Sequence, residues 1–452
     1  MSIVNEREKA DETRPPSLTC STLHDREDRF LEKEREDIPA AVEPPELGSG
    51  KFDDFEFPDG GVQAWTVIFG AACVTFTTFG YVNTWGSFQD YYATNTLKDT
   101  SPSTIAWIGS IQYALVFLPG LVVGRLFDIG FFKIPLFVAT VILVVCTFLT
   151  AECKEYWQFL LCQGFGVGLS SGIIFGPTMG IVGHWFKKRR STALGIIAVG
   201  SSTGGTLFPI MFRNLTVVVG FKWTMRIFGF IILLFLGISN VVLKRRLPPT
   251  VASGGLVDFR QFKNPAFSLY SAAGFISFLG LYTMLTYVNA SGRLQGVDED
   301  LSPYLVAIAN AGSGAGRLIS GLLADRVGGL NIMTPFTALA GIFTIIWPFV
   351  HGKGPVIVIT LLYGFTSGAY VGLLAGPIMA MGPTEDVGRR TGMYFTVTAM
   401  GALAGPPISG AIIDATGNYK AVGLYAGIAV LIAVVFMTLS RYFALGGWRG
   451  KV

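Results

Sequence analysis

From residue 62 onward the chain alternates long apolar runs with short polar ones, and the runs are too long for the strands or buried helices of a soluble domain. Twelve can be drawn: 62–84, 104–127, 134–150, 156–183, 192–212, 223–243, 266–289, 303–324, 332–350, 355–381, 391–413 and 419–442. Most span roughly 18 to 25 residues, the length an α-helix needs to cross a ~30 Å hydrocarbon core. The pattern predicts an all-α membrane protein. Residues 1–57 are its opposite, rich in Glu, Lys, Arg, Asp and Pro with few aromatic or branched residues. Such a segment cannot bury enough apolar surface to fold alone, so a disordered tail is expected, either regulatory or an inert solvated arm.

The apolar block repeats itself. Gly164-Phe165 returns as Gly364-Phe365, and Gly168, Gly172, Gly176-Pro177 and Met179 return as Gly368, Gly372, Gly376-Pro377 and Met379. Arg189-Arg190 and Gly205 return as Arg389-Arg390 and Gly405, again without a gap. Small residues every fourth position place a smooth stripe on one helix face, so neighbouring backbones can approach closely. Two copies of this block predict twelve transmembrane helices in two six-helix bundles, with a solute site near the midplane between them. The expected divisions are a tail at 1–57, bundles at 58–243 and 266–442, a linker at 244–265 and a second tail at 443–452.

Composition sharpens this picture. Hydrophobic residues make up 51% and charged residues 14%, against about 25% charged in soluble proteins. The distribution of charge matters more than the net +4. Lys187 to Arg190, Lys244 to Arg246, Arg389-Arg390 and Arg441, Arg449 and Lys451 fall on one side; Asp90, Asp99, Glu152, Glu155 and Asp298 to Asp300 fall on the other. The positive-inside rule then places both termini in the cytosol. The expected partners are a lipid bilayer and a small-molecule solute, with no nucleic acid, and a plasma-membrane location is favoured. Oligomeric state is left open. The cysteines and the three histidines lack metal-site or disulfide spacing. No phosphate-binding Gly-x-x-x-x-Gly-Lys-[Ser/Thr] loop occurs. No cofactor, metal or enzymatic constellation is expected.

Candidate chemistry lies in polar side chains deep within the runs. Arg317 precedes Asp325 by eight positions, roughly 12 Å of helix. An arginine at that depth costs at least ~2.5 kcal/mol unless paired or watered. Its planar fork suits a carboxylate or carbonyl solute; the alternative is that it binds helix carbonyls and holds the bundle together. Asn310 and Ser313 share its face. Asn83, Gln112, Tyr287 and Tyr370 complete the candidate solute-binding set, although buried polar groups usually bond within the protein. Gating candidates are Asp128 and Asp325, at corresponding ends of the second and eighth runs, with Arg326, Arg189, Arg190, Arg389 and Arg390. A carboxylate there can pair with a basic loop or cap a neighbouring helix and hold that side closed. Asn214-Leu215-Thr216 is a possible glycosylation acceptor.

The segments GRLFDIG (124–130) and GLLADRVG (321–328) resemble the loop signature of the major facilitator superfamily, the first copy carrying Ile129 where a basic residue is usual. Asp59-Gly60-Gly61 with Trp65, the run His184 to Arg190 followed by Ala193-Leu194-Gly195, Arg317 and Gly405-Pro406-Pro407 resemble the monocarboxylate porter family. The long tail and Gly86 to Tyr92 resemble its fungal branch. The resemblance implies a secondary transporter of a small organic acid or related planar metabolite, working by alternating access. In proton-coupled lactate carriers of the family an aspartate precedes the arginine by one turn and a lysine lies in the first span. Ser313 and Asn83 stand there in this chain, so the identical lactate/proton mechanism does not carry over, and proton coupling or uniport is left open. Export of a secondary metabolite and a transporter-like nutrient sensor are the alternatives.

Overall fold

A computed structural model describes residues 58–249, 255–383 and 386–451. The expected N-terminal tail at 1–57 lies outside the described residues, as does part of the linker. Among the described residues every regular element is helical. The principal helices are α1 Val62–Val82, α2 Pro102–Phe117, α3 Gly120–Asp128, α4 Lys133–Thr150, α5 Gly168–Trp185, α6 Arg190–Val242, α7 Pro265–Gly280, α8 Thr283–Leu294, α9 Leu305–Val327, α10 Gly329–Ile346, α11 Lys353–Leu373, α12 Val387–Thr416 and α13 Tyr419–Leu445.

Local chemistry sets many of their ends. The Ser101 hydroxyl accepts from the Thr104 N–H ahead of α2, and the Asn418 side chain accepts from Lys420 and Ala421 ahead of α13. Such caps satisfy N–H groups that have no partner inside the helix. Within the linker, the Asp258 carboxylate accepts from Arg260 N–H at the start of a single 3-10 turn, Phe259–Lys263.

Among the described residues, ten helical stretches are long and apolar enough to cross a membrane. Two differences from the apolar pattern stand out. The predicted polar break at 213–222 is helical: Arg190–Val242 runs for 53 residues and is interrupted only at Gly220, whose φ of 77° and ψ of 167° kink the chain. That left-handed backbone suits glycine, which has no Cβ to clash. Asn214 is thus an exposed helical residue, with the Thr216 hydroxyl bonded to the Phe212 carbonyl. Helix α9 is outside the ten, and it is the helix that carries Arg317, Asp325 and Arg326.

The halves of the chain meet along two seams, α6 against α9 and the pair α2–α3 against α12. Glycines permit the close approach. A Cβ on Gly124 would overlap the Gly388 carbonyl, one on Gly392 would overlap that of Gly120, and one on Gly195 would come within 2.6 Å of the Arg317 carbonyl. The same device packs α9 on α11, where a Cβ on Gly316 would overlap the Phe365 carbonyl. Because the obstacle is backbone, relief requires helix displacement, costing about 1–3 kcal/mol. Gly316→Ala is therefore expected to lower the apparent unfolding temperature of the detergent-purified protein by a few degrees. Gly354→Ala, where a Cβ meets nothing within 4 Å, should leave it unchanged in the same thermal scan.

Candidate functional site

The basic loops gather at one face of the helical assembly, and both seams are closed there by carboxylates. Asp128, the last residue of α3, accepts from the backbone N–H groups of Gly388 (3.0 Å) and Arg389 (2.7 Å) at the start of α12. Asp325, near the end of α9, accepts from Ser191 (2.8 Å) and Thr192 (2.9 Å) at the start of α6. The caps cross: a first-half helix end holds a second-half helix start, and the reverse. A helix N-terminus carries partial positive charge from its unpaired N–H groups, which an acceptor carboxylate complements.

The other gating candidates stand differently. Arg390 is buried and donates from Nε to the Ile378 carbonyl (2.9 Å) and from Nη2 to that of Pro383 (3.1 Å). Arg190 bonds the Phe186 carbonyl at 3.3 Å. Both arginines thus close their own connecting loops. Arg389 pairs with Asp386 (2.7 Å) and Asp258 (3.5 Å), while the Arg326 and Arg189 side chains are exposed. Asp59 supplies a third carboxylate contact, accepting from the N–H groups of Lys187 (2.8 Å), Lys188 (2.7 Å) and Arg189 (3.2 Å). It adopts a φ of 46°, uncommon for a residue with a side chain. This gives the Asp-Gly-Gly signature a physical role: it ties the start of α1 to the basic loop before α6.

Deeper in the assembly, Asn83, Asn310, Ser313 and Arg317 line one small cavity with Tyr282 and Tyr363. Its free space is about 10 Å³, roughly the room one water needs. Arg317 is 4% exposed. Its Nε donates to the Ser313 hydroxyl at 3.1 Å, and Nη1 reaches across the seam to the Ala198 carbonyl at 2.6 Å and to the Ser201 hydroxyl. Asn310 also crosses, donating to the Gly205 carbonyl at 3.2 Å. Arg317 therefore borders a cavity and clasps the opposite half, as the helix-carbonyl alternative expects.

The remaining candidates lie elsewhere. Gln112 is fully buried, with neither amide atom bonded, beside Gly168. Tyr370 packs its ring 6.2 Å from that of Phe278. Tyr287 sits against Tyr419 at 6.2 Å. None of the three lines the cavity. Tyr363, whose hydroxyl donates to the Leu281 carbonyl, and Ser201 were missed from sequence; within apolar helices they read as ordinary packing residues.

The family model described as Major Facilitator Superfamily matches residues 64–381 and 304–444. The chain belongs to that superfamily. It is thus a secondary transporter of small-molecule solutes and not an enzyme. It is 36% identical over 393 residues to the MFS transporter asaE of Aspergillus flavus, covering 86% of this chain and 89% of that one. It is 35% identical over 397 residues to the aspyridones efflux protein apdF of Emericella nidulans, covering 87% and 81% respectively. The human organic anion transporter MFSD10 (TETRAN) shares the fold, with a TM-score of 0.65 at 16% identity, covering 84% of this superfamily member and 100% of that chain.

Asp128→Asn and Asp325→Asn keep an oxygen acceptor but remove the charge, so each should loosen the basic face. A reporter is available in Phe395, 1% exposed and wedged between Phe117 (5.7 Å) and Phe175 (5.4 Å) of the other half. In a background with the native cysteines replaced, Phe395→Cys should be alkylated from that face about tenfold faster in the double variant, equivalent to ~1.4 kcal/mol of lost closure. An unchanged alkylation rate would show that the caps do not hold this face shut.

Proposed function

We propose that this chain exports an acidic or enolisable carbonyl metabolite, with Arg317 as its principal ligand. Arg317's cross-seam bonding carries the reading. A buried guanidinium whose partners are a carbonyl and a hydroxyl of the opposing helix can exchange them for a solute carboxylate or enolate. Separation of α6 from α9 would both free Arg317 and enlarge a cavity of about 10 Å³. Asn83, Asn310 and Ser313 supply neutral hydrogen bonds, and Tyr282 and Tyr363 supply flat walls for a planar solute.

The efflux role in the apdF name favours export of a secondary metabolite over monocarboxylate uptake. The two signature blocks still support placement beside the monocarboxylate porters. The described cavity lining contains no carboxylate and no histidine, so it contains no residue suited to proton coupling near neutral pH. We read twelve crossings by dividing Arg190–Val242 at Gly220 and adding α9. The bundles then fall at 58–243 and 266–442, the basic face and both termini are cytosolic, and the plasma membrane is the favoured location.

In a host lacking the transporter, Arg317→Ala should lower export of candidate organic acids at least tenfold, as expected for losing a charge-assisted contact of about 1.5–3 kcal/mol. Arg317→Lys should recover little because it lacks the fork. Efflux measured at matched surface expression checks both, and wild-type efflux by Arg317→Ala would end the solute-binding reading. Ser313→Asp should make export pH-dependent. The new carboxylate neutralises Arg317 at neutral pH and releases it for an anionic solute when protonated, so activity should rise as pH falls.

A further inference from the structure

A second cavity, of about 460 Å³, opens at the basic face between the start of α1 and the end of α6, with Gly60, Gly61, Trp185, Lys244, Arg245 and Arg246 among its lining. Three features suit it to an anion. Lys244 and Arg246 are exposed, and half-buried Arg245 has no acceptor for its Nε proton. The start of α1 lines the cavity and has no side-chain cap, so its partial positive charge adds to that of the basic residues. The nearby Asp59 carboxylate is turned onto the N–H groups of Lys187 to Arg189.

The surroundings favour a membrane lipid as the source of the anion. Val62 lines the cavity and is 87% exposed, and Val241, one turn before the basic triplet, is 73% exposed. Phe69 and Leu234, each two helical turns further from the basic face, are also exposed. Helices α1 and α6 touch beside these positions, where the Ser239 hydroxyl donates to the Gly70 carbonyl at 2.9 Å. A cationic chamber thus continues into an apolar surface on adjoining helices. We propose that this is a binding site for a phospholipid with a phosphomonoester-bearing headgroup, its phosphates in the chamber and its acyl chains along α1 and α6. Basic pockets of this kind at the cytosolic level suit polyanionic headgroups; the assignment rests on the basic face being cytosolic and is independent of the solute.

The site also reaches the gate. Arg245 donates from Nη2 to the Asp128 carbonyl at 3.4 Å, and its guanidinium lies 4.9 Å from the centre of the Phe127 ring. A bound headgroup would fix Arg245 against the helix end whose carboxylate caps α12.

The test uses the full-length protein in phosphatidylcholine nanodiscs containing a few percent phosphatidylinositol bisphosphate, with retained lipid read by native mass spectrometry. The wild-type protein should retain one phosphoinositide. The Lys244→Gln/Arg246→Gln double variant should lose at least about tenfold in retention through loss of charge-assisted contacts. Gln63→Glu, which adds an anion at an exposed lining position and removes no cation, should also weaken it. Equal retention by all three proteins, or equal retention of phosphatidylserine, would overturn the proposal. Full protection of the site by soluble inositol trisphosphate, without acyl chains, would assign it to a soluble anion. Retention appearing only after Asp53→Asn, Asp54→Asn and Glu56→Gln would assign it to the chain's own acidic segment. Either assignment would overturn the lipid proposal.

Discussion

Two carboxylates placed against the helix starts of the opposite half are the constraint on which the arrangement depends. Asp128 and Asp325 each satisfy two backbone N–H groups, and each does so across the seam. Neither half can tilt away at the basic face without exposing unpaired donors on α12 or α6 and leaving the carboxylates without those donors. The glycine pairs make these short bonds possible. Gly124 against Gly388 and Gly195 against Gly321 bring main chain to main chain, so the carboxylates arrive at bonding distance without long side chains. Packing and electrostatics therefore select the same closed face.

Much of this architecture was legible in the sequence because it is duplicated. The glycine stripe, the paired arginines and the two aspartates recur at matching places, and a feature written twice is hard to mistake for local variation. The lengths of the runs, set by bilayer thickness, exposed most of the helices. Gly220 was obscured by the residues around it, since Arg213, Asn214 and Lys222 look like a loop while forming helix on either side of the kink. The site was legible only where burial is costly. Arg317 announced itself because a cation in an apolar run needs a partner; Ser201 and Tyr363 did not, because hydroxyls in helices usually bond their own backbone. The partners of Arg390 were similarly hidden. Its guanidinium turns back to carbonyls of its own loop, whereas Asp128 crosses to the other half, and no residue spacing distinguishes these outcomes.

Asp59 joins the signature at the start of α1 to the same machinery. Its contact with the loop before α6 and the contact of Asp325 with the start of α6 hold successive residues, Lys187 to Arg189 and Ser191 to Thr192, from opposite halves of the chain. The basic loop is thereby fixed on both sides by acidic groups that hold its backbone N–H groups and leave the Lys187 to Arg189 side chains exposed.

The Ala198 carbonyl and the Ser201 hydroxyl give the buried Arg317 guanidinium protein dipoles in place of water or a counterion. Because both dipoles belong to the opposing helix, the cation is solvated only while α6 and α9 stay together, so the cost of burying its charge is tied to the closure of that seam.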